Sequence, residues 1–253
     1  MSENIQKYSP LYFLASLGAG GLSVSIFMYL MFMTKHPKVP LATFDFLYPI
    51  LQEGNLKSIL VGIAMLGILV FVYLHFKLLI WNLKEYKIFK TTKEYKELKK
   101  SSTEVVLMVV PLTLAMTINV CFVVGAVFVP NLWDVIEYMF PFALIAFLAV
   151  GLYGLRIYGD FLTRLIIDGS FEFEKNSNFS QMIAAFAFSM VSVGFAAPGA
   201  MSHYALVSAI GLFCSLFFMI ITILIVLKNL VLGFKSMYIV MEFQKRLLVV
   251  YGF

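Results

Sequence analysis

Small and hydroxyl-bearing side chains recur at intervals of three or four residues in three apolar stretches of the chain. The sets are Ala15, Gly18, Gly21 and Ser25; Ala185, Ser189, Ser192 and Ala196; and Ser208, Gly211 and Ser215. This spacing places each set on one face of a helix. Such a face either lets another helix approach closely or forms the wall of a narrow pore that offers hydroxyls and backbone carbonyls instead of charge. Both interpretations stay open, and the sequence favours packing.

A proline and two threonines stand together in another apolar stretch. Pro111 lies in mid-stretch, and Thr113 and Thr117 follow just beyond it. Proline removes a backbone donor and obstructs the carbonyl four residues earlier, so a kink is predicted at Pro111. The carbonyls that a kink frees need a partner or a water-lined cavity. Asn119 lies on another face of the same helix, and we interpret it as an interhelical hydrogen-bonding group in preference to a ligand-binding one.

Six apolar stretches hold these residues, and each is long enough to cross a bilayer. They are 11–33, 58–81, 105–129, 133–155, 180–197 and 203–227. About 20 helical residues cross a hydrocarbon core of roughly 30 Å. Charged residues make up only 13% of the chain, against about 25% in a soluble domain. We therefore predict an all-α, multi-pass bundle of six transmembrane helices, arranged as three hairpins in the plasma (inner) membrane, with residues 1–253 as a single integral membrane domain.

Basic residues are unevenly distributed among the predicted loops. Lysines crowd the loop 82–104 and basic residues follow the fourth and sixth stretches, whereas the links 130–132 and 198–202 have none. Because Lys and Arg mark the cytoplasmic side, both termini are predicted to be cytoplasmic. The lysine-rich loop is predicted to be helical and to touch anionic headgroups. Nucleic-acid or partner binding is the alternative, but the charge is already explained by its placement, and no nucleic-acid partner is predicted. The apolar loop 37–53 predicts a short interfacial segment on the outer face.

Four charged residues follow one another at four-residue intervals after the fourth stretch. They are Arg156, Asp160, Arg164 and Asp168. Opposite charges at this spacing stabilise a helix by about 0.2–0.5 kcal/mol per pair, which predicts a cytoplasmic extension of the fourth helix. The alternative is a charged vestibule in which Arg156 and Arg164 draw anions toward a pore.

The chain lacks the side chains that other chemistry requires. No predicted span has a carboxylate near its middle, where proton- or sodium-coupled transporters often keep one. His75 is placed near the inner face and His36 and His203 near the outer face, so no pair at matching depth is available to ligate a haem. Cys121 and Cys214 lie inside predicted spans and are interpreted as packing residues. No nucleotide-binding, metalloprotease or hydrolase motif is present, so no enzyme activity, cofactor or metal site is predicted.

Three stretches resemble the tellurite-resistance/dicarboxylate transporter family, which includes the bacterial TehA proteins and the slow anion channels of plant guard cells. They are Leu-Gly-Ala-Gly-Gly-Leu-Ser at 17–23, Val-Pro-Leu-Thr-Leu-Ala-Met at 110–116, and Asp-Gly-Ser-Phe-Glu-Phe-Glu-Lys-Asn-Ser-Asn-Phe at 168–179. The third is similar to the Phe-Glu-bearing loop that commonly enters the fifth helix in that family. By order of features, the resemblance covers most of the chain.

The resemblance implies a fold, a pore and a substrate class. Helical hairpins would form a quasi-fivefold ring, with odd-numbered helices around a central pore and even-numbered helices behind them. The residues carried over to the pore wall are Ser23 or Ser25, Thr113, Thr117, Ser189 and Ser192, in agreement with the small-residue faces that include Gly18 and Gly21. Family members conduct small anions or export weak organic acids, and they often form trimers, so a homotrimer is a possible assembly.

The chain also departs from the family, whose members have ten helices, whereas six are predicted here. The gating phenylalanine of the family lies on a ninth helix for which this chain has no counterpart. A TsoY-like branch of the superfamily includes selenoproteins. We therefore expect this chain to be the N-terminal part of a ten-helix fold, either as a fragment or as a product truncated at a recoded stop codon.

Three functions stay open from the sequence. The leading hypothesis is a passive channel or uniporter for small anions, of the chloride, nitrate, sulfite or weak organic acid type. The second is a membrane subunit without transport activity that assembles with a partner through the basic loop. The third is a membrane redox protein that uses Cys121 or a lost selenocysteine.

Overall fold

The computed structural model describes residues 8–167 and 181–251, and within these residues the chain is helical and has no strand. The α-helices are α1 (Phe13–Met33), α2 (Phe44–Gln52), α3 (Leu56–Phe89), α4 (Lys93–Leu98), α5 (Val109–Phe128), α6 (Leu132–Ile167), α7 (Met182–Met201) and α8 (Ala205–Tyr251). Short 3-10 helices, Pro10–Tyr12 and Ser102–Met108, precede α1 and α5. The stretch 168–179, which carries part of the family resemblance and includes Asp168, lies outside the described residues.

Six of the described helices are long and apolar enough to cross a membrane. They are α1, α3, α5, α6, α7 and α8, and the preceding 3-10 turns extend the first and third spans to Pro10–Met33 and Ser102–Phe128. The predicted all-α class and the predicted number of spans are therefore confirmed for the part of the chain that the structure describes. This is the architecture expected of a multi-pass membrane protein.

Several helices run beyond the apolar stretches that predicted them. α3 continues to Phe89 and α6 to Ile167, past the predicted ends at 81 and 155, because lysine, glutamate and arginine are good helix formers once a helix has left the hydrocarbon. α7 ends at Met201, four residues later than the predicted 197. Pro198 lies in its last turn, and the Pro198 carbonyl accepts the Ser202 amide at 3.1 Å.

α5 occupies the centre of the bundle. It packs against α1, α6 and α7, while α1 also packs on α3 and α7 on α8. In the most apolar part of each span, 67% of residues are buried for α5 and 56% for α7, against 22% for α3 and 17% for α8. α5 and α7 are thus inner helices, whereas most residues in the most apolar parts of α3 and α8 are not buried.

The interface between α7 and α8 is built from small residues. A Cβ atom added to Gly211 would lie 2.6 Å from the Gly199 nitrogen, so the two backbones are in direct contact. The Ser192 hydroxyl donates to the Ser215 carbonyl at 2.8 Å, and the Ser208 hydroxyl donates to the Gly199 carbonyl at 2.6 Å. The small residues of this interface, Ser192, Ser208, Gly211 and Ser215, thus serve close packing, the interpretation that the sequence favours.

The small-residue face of α1 has a different environment. Ala15, Gly18 and Ser25 are exposed in this chain, and nothing lies within 4 Å of a Cβ atom added at Gly18. α1 packs instead through a neighbouring face that includes Ser16, Gly20 and Ser23, all of them buried. The predicted spacing is present, but the face that α1 buries is not the one that the pattern singles out.

The predicted loop segments are partly helical. In the loop 37–53, α2 is a short helix that buries Leu47 and Ile50 against the bundle. The Asp45 carboxylate at the start of α2 accepts a hydrogen bond from the backbone N–H of Asn131 at 3.1 Å. This bond joins the loop to the turn between α5 and α6. The lysine-rich loop is helical as predicted, through the end of α3 and through α4. The Thr92 hydroxyl caps α4 by accepting the Tyr95 amide at 3.3 Å.

Candidate functional site

Pro111 stands at a change of helix type. It is the third residue of α5, directly after the 3-10 helix Ser102–Met108. The sequence places this proline in the middle of a span, where it predicts a kink. In the first turn of an α-helix the amide has no intrahelical acceptor, so proline costs no hydrogen bond there. The departure from regular α-helix therefore lies before Pro111, in the 3-10 segment.

Most of the hydroxyls predicted to line a pore bond to their own helix. The Ser23 hydroxyl donates to the Gly20 carbonyl at 2.7 Å, and the exposed Ser25 hydroxyl donates to the Gly21 carbonyl at 2.9 Å. Thr113, which is fully buried, donates to the Val109 carbonyl at 2.8 Å. Ser192 bonds across to α8, as described above. These hydroxyls are satisfied by protein groups.

An apolar cavity of about 470 Å³ lies between α1, α5 and α7, with Phe147 of α6 at one side. Its wall includes Val24 and Phe27 of α1, Met116 and Phe122 of α5, and Met190, Val193 and Ala197 of α7. Among the described residues that line it, none is charged, and Asn119 and Ser189 are the polar ones. Of the predicted pore residues, Ser189 lines this cavity. Gly21 does not line it but lies next to Met116, which does.

The two polar groups of the cavity wall have local partners. The Asn119 amide donates to the Met190 sulfur at 3.2 Å, which is the interhelical hydrogen bond expected of it. The Ser189 hydroxyl donates to the Phe186 carbonyl of its own helix at 3.0 Å. Sulfur is a weak acceptor, so the Asn119 amide remains the strongest polar group that the wall offers to a solute.

A buried histidine joins three of the spans. His75 of α3 is fully buried and lies against Ser16 of α1 and Thr117 of α5. Gly20 permits this approach, because a Cβ atom there would lie 2.7 Å from the His75 Nδ1 atom. Sequence reasoning places His75 near the end of its span without a role. The signal for it was a single histidine, two residues before Lys77, inside a largely apolar run.

The hydrogen bonds of His75 fix its tautomer. A carbonyl oxygen only accepts, so Nδ1 of the neutral ring carries the proton and donates to the Ser16 carbonyl at 2.8 Å. Nε2 then accepts from the Thr117 hydroxyl at 3.0 Å. That hydroxyl also lies 2.8 Å from the Thr113 carbonyl, so one proton is shared between two acceptors. This cluster, with Ser16, His75 and Thr117, ties α1 and α3 to the central helix.

Replacing Thr117 by valine is expected to lower the free energy of unfolding by about 1–2 kcal/mol, because His75 Nε2 loses its donor while buried. The shape of the side chain is kept, so packing is not the cause. Thr222→Val is the matched control, since the Thr222 hydroxyl donates only to the Phe218 carbonyl of its own helix at 2.9 Å. Unfolding in mixed micelles would measure both, and equal losses would contradict the role given to Thr117.

Charged groups meet at the lysine-rich end of the bundle, which we define as α4 together with the C-terminal ends of α3 and α6. Glu104, in the 3-10 helix before α5, is 1% exposed and pairs with Arg164 of α6. Lys99 lies 3.9 Å from the Glu104 carboxylate and 3.8 Å from that of Asp160. The series predicted along α6 thus pairs in part with residues of other segments. Glu104, at the border between lysines and an apolar run, was missed.

The two arginines predicted to form a vestibule occupy different positions. Arg164 is bound to Glu104, as described. Arg156 lines a second cavity, of about 280 Å³, which we call the charged cavity. Its wall also includes Lys90, Lys99 and Asp160, together with Glu104. A polar chamber with arginine on its wall is therefore present at this end, although Arg164 is not part of its lining.

His203 fastens a turn, and neither cysteine is paired. His203 and Ser202 both hydrogen-bond to the Glu137 carboxylate, and the Ser202 hydroxyl lies 2.7 Å from it, which fastens the α7–α8 turn to the start of α6. Cys121 and Cys214 are free thiols. Across residues 8–167 and 181–251, no group of three or more His, Cys, Asp or Glu side chains could hold a metal ion.

We compared the chain with protein-family models, curated proteins and solved structures. No protein-family model matches the chain, and neither a curated protein nor a solved structure does. The resemblance to the tellurite-resistance/dicarboxylate transporter family therefore stays a prediction from sequence. What the structure provides is a helical bundle with an uncharged cavity between α1, α5 and α7 and a charged cavity at its lysine-rich end.

Proposed function

We propose that the protein is a passive channel or uniporter for small anions, with its passage between α1, α5 and α7. The observation that carries this proposal is the cavity of about 470 Å³ at this position, whose described lining residues are uncharged. A passage without fixed charge binds an ion weakly, and weak binding permits rapid release, as conduction requires.

The chemistry of the wall narrows the class of solute. Methionine, valine and phenylalanine side chains cannot replace a tight hydration shell, and Asn119 and Ser189 supply the polar contacts. A strongly hydrated ion would pay the full cost of dehydration. The proposed substrates are therefore weakly hydrated anions such as nitrate, and weak acids of the sulfite or organic type that can cross while protonated.

The arrangement of the helices supports the same proposal. In the resembling family, the odd-numbered spans surround the pore, and here the apolar cavity lies between the first, third and fifth spans, which are α1, α5 and α7. The third and fifth spans are also the most buried. We propose that the lysine-rich end is cytoplasmic, where Lys99, Arg156 and Arg164 would attract anions, and that the membrane is the plasma (inner) membrane.

Filling the cavity tests the proposal. Ala197 of α7 lines it, and an Ala197→Phe variant is expected to reduce nitrate or sulfite flux into liposomes at least tenfold. Ala200→Phe is the matched control, because Ala200 lies on the same helix, is exposed and does not line the cavity. Its flux should equal that of the unaltered chain.

Two results would reject this function. One is the absence of nitrate, chloride and sulfite flux above that of empty liposomes for the unaltered chain. The other is equal flux through Ala197→Phe and Ala200→Phe, which would place the passage elsewhere. Absence of flux together with a stoichiometric partner in membrane extracts would favour a membrane subunit without transport activity.

A further inference from the structure

The charged cavity combines cations and phenols in one small chamber. Lys90, Lys99 and Arg156 line it together with Tyr86, Tyr95 and Tyr153. Its residues come from α3, α4, the 3-10 helix before α5, and α6. It shares no lining residue with the apolar cavity, so it is a separate site.

The charges around this cavity do not cancel. Its lining has three cations, and its carboxylates are those of Glu104 and Asp160. Arg164, from outside the lining, pairs with Glu104, and Lys99 lies within 4 Å of both carboxylates. Four cations thus stand against two carboxylates, an excess of two positive charges. In the described part of the chain, Lys90 and Arg156 form no ion pair.

The aromatic side chains hold one of these free cations at the wall. The Lys90 ammonium lies 4.5 Å from the centre of the Tyr86 ring, within the range of a cation–π interaction. Tyr86 itself is 5% exposed, and its ring packs 6.4 Å from that of Tyr95. The ammonium is therefore placed without a carboxylate partner, and its N–H donors stay available.

A phosphate group matches this arrangement. A phosphomonoester carries about −1.5 to −2 charges at neutral pH and three acceptor oxygens, which fits an excess of two positive charges. Arg156 can donate to two phosphate oxygens at once, Lys90 acts as a point charge, and tyrosine hydroxyls supply further donors. We propose that the charged cavity binds the phosphate group of a phosphomonoester.

The position of the cavity favours a lipid as the source of that phosphate. Its volume, about 280 Å³, is below the usual range of roughly 300–1,000 Å³ for sites that enclose a whole ligand. Exposed apolar side chains lie on the same helix faces as its lining residues: Leu83 of α3 stands three residues before Tyr86, and Leu152 of α6 stands four residues before Arg156. A headgroup phosphate would enter the chamber while the acyl chains lie along these helices, close to lysines that favour anionic lipid.

Binding to the full chain in detergent micelles tests the site without any measurement of transport. The probe is dioctanoyl phosphatidic acid, and titration calorimetry gives the Kd. Replacing Lys90 and Arg156 together by glutamine is expected to raise this Kd at least tenfold. Tyr153→Phe, which removes one hydroxyl and no charge, should raise it about threefold.

The matched control removes the same charge from outside the cavity. Lys93 and Lys96 are exposed lysines of α4 that do not line it, and Lys93→Gln with Lys96→Gln should change the Kd no more than twofold. Equal weakening by both pairs, or no weakening by Lys90→Gln with Arg156→Gln, would overturn the proposal. Dioctanoylglycerol, which lacks phosphate, should not bind, and binding as tight as that of phosphatidic acid would also overturn it.

Inorganic phosphate distinguishes the two sources of the ligand group. Competition with phosphatidic acid at millimolar phosphate, lost in the Lys90→Gln, Arg156→Gln variant, would support the site with free phosphate as a ligand. Absence of competition alongside variant-sensitive lipid binding would support it with a lipid headgroup as the ligand. Because no flux is measured, failure here leaves the proposed anion passage untouched, and failure of that passage leaves this site untouched.

Discussion

A Gly211→Val substitution is expected to lower the free energy of unfolding by about 3 kcal/mol or more, at the severe end of overpacking. A Cβ atom at this position would lie 2.6 Å from the Gly199 nitrogen and 2.7 Å from its Cα atom. These are backbone atoms, so no side chain can turn aside and the helices must separate. Separation would also weaken the Ser208 and Ser192 hydrogen bonds across the interface.

The same change elsewhere on α8 provides the control. Gly233 lies on that helix, and nothing is within 4 Å of a Cβ atom added there. Gly233→Val should alter the free energy of unfolding by less than about 0.5 kcal/mol. Reversible unfolding in mixed micelles, followed by circular dichroism, measures both variants. Similar stability of the two would show that α7 and α8 do not touch through Gly199 and Gly211.

The spans are predictable from sequence because the physics that sets them is local. A helix must satisfy its own backbone in hydrocarbon, so length and hydropathy decide where each helix lies, and all six were found. Hydropathy alone does not give the helix ends, since lysine and glutamate lower the hydropathy while they extend the helix. The charge spacing and the composition of the lysine-rich loop predict the extensions instead, and α3 reaches Phe89 and α6 reaches Ile167.

The partner of each helix face is not a local property. The spacing of small residues identifies a face but not its occupant: Gly211 meets another backbone, whereas Gly18 meets nothing within 4 Å in this chain. The positions of the candidate site residues also depend on contacts between helices. The pattern put Ser189 on a small-residue face but left open whether that face packs or lines a cavity. The pairing of His75 with Ser16 and Thr117 joins three helices and has no signature in any one of them.

The buried ion pair between Glu104 and Arg164 gives the second large expected effect. The Glu104 side chain is 2% exposed and that of Arg164 is 34% exposed. After Arg164→Gln, the Glu104 carboxylate would stay buried with only Lys99, 3.9 Å away. Breaking a buried pair costs about 3–5 kcal/mol. Since Arg164 is a third exposed, we expect a smaller loss, at or below the lower limit of that range, about 2–3 kcal/mol.

The two partners should not be equivalent. In Glu104→Gln the group left without its partner is Arg164, which can turn toward solvent. We therefore expect the free energy of unfolding to fall by only about 1 kcal/mol. The double variant, with both residues as glutamine, should be more stable than Arg164→Gln alone, because no buried charge remains without a partner. Asp160→Asn is the control, since Asp160 is 51% exposed and pairs with Lys99 at 3.8 Å, which predicts a loss within about 0.5 kcal/mol.

The order of the free energies of unfolding among these variants is more informative than any single value. If the buried charge of Glu104 determines the stability of this end of the bundle, Arg164→Gln must be the least stable of the three variants at this pair. Removal of the carboxylate in the double variant must then restore part of the lost free energy of unfolding. If instead Arg164 acts mainly through packing of its stem on α6, the double variant would be at least as unstable as Arg164→Gln. Unfolding of all four variants in one detergent separates these outcomes, because the two causes predict different signs for the effect of Glu104→Gln in the Arg164→Gln background.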